Sequence, residues 1–155
     1  RQAITKPLDD EGVQITSEAL DRILSVTKGY AYFLQTWGSQ AWLCAGTSPI
    51  QAQDVDTASN MAIAALDEGF FRVRFDRCTP KEKKYLRAMA ELGAGPHRSG
   101  DIANCLNEKG SSLGPTRSSL ITKGMVWSPN HGDTAFTVPM FDEFMKRIVP
   151  GDNWQ

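Results

Sequence analysis

No glycine in this 155-residue chain is followed by lysine. The GxxxxGK[ST] loop that cradles nucleotide phosphates is therefore missing, and with it phosphate-loop hydrolysis by these residues alone. Cysteine is scarce and scattered: Cys44, Cys78 and Cys105 are odd in number and form no CxxC pair. His97 and His131 stand at no ligand spacing to them, so neither a zinc site nor a disulfide framework is expected. Reduced thiols and the lack of a signal-like segment point to the cytoplasm. No stretch stays apolar for the ~18 residues a membrane span needs, so no membrane partner is expected. No Gly/Ser/Pro-rich linker and no catalytic constellation stand out. The acidic run Asp9-Asp10-Glu11 reads as a solvated loop.

Net charge is also small, at −1, but it is unevenly spread. Residues 1–70 hold 4 Lys/Arg against 9 Asp/Glu, whereas residues 71–124 hold 11 against 5. A basic middle of this kind is the electrostatic footprint of a phosphate-binding face, or the complement of the acidic first half.

What is present is most legible from Thr79 to Val138. Thr79-Pro80-Lys81-Glu82 has the pattern of a helix start: a capping hydroxyl, proline at the first helical position, and a carboxylate at the capping-box position. Tyr85, Leu86, Met89 and Leu92 follow at helical spacing, and Gly93-Ala94-Gly95-Pro96 stops the run. Ser99 is expected to cap a short second helix carrying Ile102, Ala103 and Leu106. Ser112 is expected to cap a third, running through Leu113, Leu120 and Ile121 to a glycine stop at Gly124. Met125–Ser128 and Thr134–Val138 are β-prone and flank the turn cluster 129–133. Three helices and a hairpin give the winged helix-turn-helix order, in which the third helix enters the DNA major groove.

Arg117, Ser118 and Lys123 fall off the apolar stripe of that helix, so they are expected to face solvent. Thr116 adds a hydroxyl, and Asn130 and His131 occupy the wing tip. These six residues are the candidate DNA contacts, with Arg and Lys suited to phosphates and Arg also to guanine.

The first half reads as a small bundle. A helix capped by Thr16 or Ser17 carries Leu20, Ile23, Leu24 and Thr27. A second opens at Tyr30, with Phe33, Trp37, Ala41 and Trp42 on one face. A third begins near Ala52, with Val55, Ala58, Met61, Ala62, Ala65 and Leu66 inward. Residues 7–12 look turn-rich. Residues 68–76 look like a rigid helical connector whose Phe70, Phe71 and Phe75 dock the two halves. The expected fold is mainly α: a helical bundle with connector over residues 1–76, then a winged helix with one hairpin and a C-terminal helix over residues 77–155. Phe141, Phe144 and Met145 should lie on that last helix.

With those stretches in view, the chain resembles the C-terminal part of a P-loop ATPase of the AAA+/STAND superclass. Archaeal-type ATPases and origin-recognition initiators share its order of a helical lid followed by a winged helix. The resemblance rests on residues 27–35, 50–55, 70–77, 79–83, 99–103 and 136–145. It implies a non-catalytic region whose parent binds ATP and Mg²⁺ in its own N-terminal ATPase domain, with no cofactor held by this chain. It also implies that Gly29, Tyr30 and Ala31 approach the nucleotide through a helix N-terminus. Ala31 stands where such lids carry proline, and Tyr32 where initiators carry a sensor arginine. Three readings remain open at this level: a DNA-binding winged helix on an ATPase, a winged helix used for protein contact or autoinhibition, and a free-standing transcriptional regulator. Self-association stays open in all three.

Overall fold

The computed structural model describes residues 1–151 and Trp154. It divides into two compact units, Arg1–Phe70 and Phe71–Gln155. The molecule is mainly helical, with one small antiparallel sheet.

The first unit comprises α1 (Gln2–Asp10), α2 (Ser17–Thr27), α3 (Ala31–Cys44) and α4 (Ala52–Leu66). Helix α1 corrects the turn-rich expectation over residues 7–10, whereas Glu11 and Gly12 do form a turn. Ile4 and Leu8, one turn apart, are buried and give the segment an apolar side, although Pro7 forfeits the bond to the Ala3 carbonyl. Helix α2 starts as expected, with Thr16 Oγ1 accepting from the Ala19 N–H at 3.2 Å. It ends at Lys28 and Gly29, both left-handed. Helix α3 buries Phe33, Leu34, Trp37 and Ala41, and Trp37 Nε1 donates to Ser59 Oγ on α4 at 3.0 Å. Helix α4 packs chiefly on α3 through Val55, Ala58, Ala62 and Leu66. Met61 and Ala65 lie one position off that stripe and are exposed, contrary to the expected inner face. Trp42, at 39% exposure, also sits outside the core it was expected to join. Phe70 closes the unit by packing on Tyr30, Tyr32 and Phe33.

After one π-helical turn, Asp67–Phe71, the second unit opens with a short α5 (Arg72–Phe75). The segment expected to be helical is so over residues 67–75. Next come α6 (Pro80–Glu91), β1 (His97–Arg98), α7 (Ser99–Cys105), α8 (Gly110–Thr122), β2 (Val126–Trp127), β3 (Asp133–Phe136) and α9 (Phe141–Ile148). The start of α6 is the capping box read from the sequence: Glu82 N–H donates to Thr79 Oγ1 at 3.3 Å, and Thr79 N–H to Glu82 Oε2 at 2.6 Å. Its inner face, Tyr85, Leu86, Ala88 and Met89, packs with α9, α8 and α7. Phe144 of α9 stacks on Phe71 at 5.3 Å and meets Phe75 edge-on at 5.9 Å.

The strand order is β1-β3-β2, all antiparallel. The sequence reading expected only the β2–β3 hairpin. A two-residue strand such as β1 carries no alternation to read, and it exists because His97 and Arg98 lie opposite Thr134 and Asp133. Two expected caps also move. Ser99 is the first residue of α7, with Arg98 as N-cap; its N–H and Oγ–H both donate to the Gly132 carbonyl, at 2.9 and 3.0 Å. Ser112 is the third residue of α8, which starts three residues earlier than expected, after Lys109.

Candidate functional site

The α7–α8 turn is built by backbone chemistry. Asn107 is left-handed at φ 53°, a conformation asparagine tolerates. Its N–H bonds to the Asn104 carbonyl, and that of Glu108 to the Ala103 carbonyl. The same two-bond closure ends α8: Gly124, at φ 69°, bonds to Ile121 and Met125 to Leu120. These two closures fix the turn before α8 and the sharp exit into β2.

The faces of α8 then follow. Leu113, Thr116 and Leu120 point inward. Thr116, at 8% exposure, thus belongs to the core side rather than the outer face. Ile121 stays exposed. The outward surface is short and polar: Ser111, Gly114, Pro115 and Ser118, with Lys109 just before the helix.

Of the six candidate contacts, two basic ones are tied into the unit. Arg117 is half-buried: Nε donates to Thr134 Oγ1 and Nη2 to the Asp133 carbonyl, each at 2.8 Å. This corrects the solvent-facing expectation, because a long side chain off the apolar stripe can bend back to satisfy a buried hydroxyl on β3. Lys123 Nζ donates to Glu82 Oε2 at 2.7 Å and to the Arg77 carbonyl at 3.0 Å. Ser118, Asn130 and His131 are exposed, Asn130 donating from Nδ2 to Asp133 Oδ2 at 3.2 Å. Arg98 on β1 lies beside β3, its guanidinium 3.2 Å from Asp133 Oδ1.

Glu82 is the electrostatic centre of the unit. Burial opposes its charge, yet hydrogen bonds from Lys123, Ser119 and the Thr79 N–H overcome that penalty and hold its pKa at about 2. Ser119 Oγ donates to Glu82 Oε1 at 2.7 Å. Tyr85 is pushed above its usual range by burial, against the pull of a hydrogen bond with Thr134 and the nearby Arg117 charge.

Two sequence signals were passed over. Lys109 sits inside a turn, where an isolated charge carries no periodicity. Gly110-Ser111-Ser112-Leu113-Gly114 spells GxSxG, the nucleophile-elbow pattern. Here that stretch is the first turn of a helix rather than a strand-to-helix corner. Ser112 Oγ is within hydrogen-bond distance of Glu108 Oε2 (2.9 Å) and the Lys109 carbonyl (2.8 Å), so the elbow geometry is not met.

In the first unit, Gly29 is left-handed at φ 72°, and Tyr30 is the N-cap of α3 with no side-chain cap bond. The Tyr30 ring packs on Phe33 at 4.8 Å, and Ala31 is exposed at the first helical position. Among the described residues, no group of three or more His, Cys, Asp or Glu side chains could hold a metal ion. No described helix is long and apolar enough to cross a membrane.

A mainly helical architecture with a small antiparallel sheet is the class that this geometry defines. Residues 68–145, just over half of the chain, match the family described as a domain of unknown function (DUF8462), and the chain belongs to that family. No curated protein matches the chain.

Proposed function

We propose that residues 80–138 are a winged helix-turn-helix that binds nucleic acid, with the N-terminal half of α8 as its reading element. The observation that carries this is the outward face of α8. Ser111, Gly114, Pro115 and Ser118 are exposed and polar or small, Lys109 just before them is exposed, and so are Asn130 and His131 at the hairpin tip. Small residues let a helix approach base edges closely, and Lys109 and Arg98 supply phosphate contacts. Arg117 and Lys123 act here as struts that fix the helix to β3 and α6. The excess of basic residues over 71–124 favours the same reading.

The lid-like reading of the first unit, as part of a P-loop ATPase, is proposed with it. Its supports are the helix order and the left-handed Gly29 before an uncapped α3 start. The chain itself is then expected to neither bind ATP tightly nor hydrolyse it. A second reading, protein contact by the winged helix, is favoured by one feature: Trp127 on the wing is 52% exposed while the helix cations are engaged internally.

Anisotropy titrations on mixed-sequence duplex at two salt concentrations test the main reading. Binding should weaken with salt, and Lys109→Ala should reduce the logarithmic salt slope by about 1. Absent or salt-independent binding would overturn it in favour of protein contact.

A further inference from the structure

Helix α1 packs on α3 over small side chains: Gly38 and Ala41, one turn apart on α3, line a cavity of about 480 Å³ between the two helices. Its walls are apolar and buried, made by Ile4 and Leu8 of α1, Ile23 of α2, Leu34 of α3, and Ile50. The volume falls within the roughly 300–1,000 Å³ of small-molecule sites. Gly38 lies inside α3, where a Cβ would meet no atom within 4 Å. Packing therefore does not demand glycine there, and glycine destabilises a helix interior relative to alanine. What its missing side chain leaves is room.

The rim has one sign of charge. Among the described residues, Glu11 is the one charged side chain in the lining, and it is exposed. The four basic residues of residues 1–70, Arg1, Lys6, Arg22 and Lys28, do not line the cavity. Arg1 pairs with Asp21 and Arg22 with Asp56, and among the described residues no cation pairs with Glu11. Trp42, at 39% exposure, also lines the space.

We propose that this cavity binds a small amphiphilic cation of the alkylamine or arylalkylamine class. The apolar body fills the space between α1 and α3, and the ammonium stays at the rim with the Glu11 carboxylate. Trp42 supplies an indole face, the side-chain ring that attracts cations best. Gln35 and Ser39, exposed in the same lining, add uncharged hydrogen-bonding groups for the head. The acidic balance of residues 1–70, 4 Lys/Arg against 9 Asp/Glu, draws cations rather than anions. Because the rim is wet and the walls are dry, apolar burial sets the affinity and charge sets the selectivity. The proposal rests on neither nucleic-acid binding nor the lid-like reading, and each can fail without the others.

Phenylbutylamine, phenylbutanol and phenylbutyrate share one body and differ in the charge of the head. Each titrated into the full chain, by calorimetry and by amide chemical-shift mapping, is the test. The amine should saturate one site, with shifts centred on Ile4, Leu8 and Gly38. It should bind about three- to fivefold more tightly than the alcohol, as an exposed ion pair allows, and the carboxylate should bind weakest. Glu11→Gln should erase the preference for the amine. Gly38→Leu fills the space and should abolish binding, while α3 stays folded because leucine is the better helix former. Lys109→Ala should change nothing. Shift mapping on the native chain stands even if a variant folds poorly. No saturable binding at millimolar amine, an amine bound no more tightly than the alcohol or the carboxylate, or undiminished binding by Gly38→Leu would each overturn the proposal. So would a native dimer that Gly38→Leu dissociates, which would give the space to a second copy of the chain.

Discussion

Arg117 on α8 and Thr134 on β3 share a 2.8 Å hydrogen bond from Nε to Oγ1, and Thr134 is fully buried. Thr134 also hydrogen-bonds Tyr85 of α6, so one hydroxyl joins α6, α8 and the sheet. Arg117→Ala removes two donors at once, leaving the Asp133 carbonyl with Ser128 Oγ and the Thr134 hydroxyl with Tyr85. A loss of about 1–3 kcal/mol is expected by denaturant melts. Arg117→Lys should recover only part of it, because an ammonium lacks the planar fork. A neutral Arg117→Ala would show that the bonds contribute nothing to the fold.

Acid stability should depend on Glu82. Its carboxyl titrates at about 2 in the folded state against 4.5 for the free group. The folded state therefore holds that proton less tightly than the unfolded one. Its stabilising contribution is complete above about pH 4.5 and is lost as pH falls toward 2, on the order of 3 kcal/mol in all. Melts of Glu82→Gln across this window should show a flatter pH dependence than the native chain. Parallel curves would place the acid sensitivity elsewhere.

Lys123→Met leaves the Glu82 carboxylate its bonds from Ser119 and Thr79 but removes its counter-charge. A destabilisation of about 1–3 kcal/mol at pH 7 is expected, shrinking toward pH 2 as the carboxyl protonates. Thermal melts at the two pH values check it. A cost that does not change with pH would mean that Lys123 acts through packing of its stem.

Phe144 is 1% exposed and touches Phe71, Phe75 and Phe141. Phe144→Ala should cost about 3–5 kcal/mol, the range for emptying an aromatic from a packed core. A cost under about 1 kcal/mol would mean that α9 is not integral to the second unit.

How far the sequence could be read depended on the range of the interaction. The α6 capping box, the Gly124 stop and the α9 stripe are set within a few residues, so Thr79, Glu82, Gly124 and Phe144 were all legible. Helix α1 was missed because Pro7 and the acidic run masked its one Ile4–Leu8 turn. Strand β1 was missed because its partner is β3, more than thirty residues on. The candidate site suffered most. Periodicity assigns a face to a Cα, and it put Arg117 and Lys123 outside; their tips return to Thr134 and Glu82, two partners that no spacing rule connects to them. Thr116 lies three residues after Leu113 and four before Leu120, in step with the buried stripe, and its hydroxyl drew attention away from that.

Arg87 sets where this domain can be cut. It is 4% exposed, with Nε donating to the Val149 carbonyl at 2.9 Å, Nη1 to Glu91 at 2.7 Å, and its plane 4.8 Å from the Trp154 ring. The family match ends at Met145, partway along α9. A fragment trimmed to residues 68–145 would thus lose the last turn of α9 and leave a buried guanidinium without its carbonyl acceptor and ring. The packed unit is longer than the shared sequence, and a fragment meant to keep Arg87 satisfied should include Trp154.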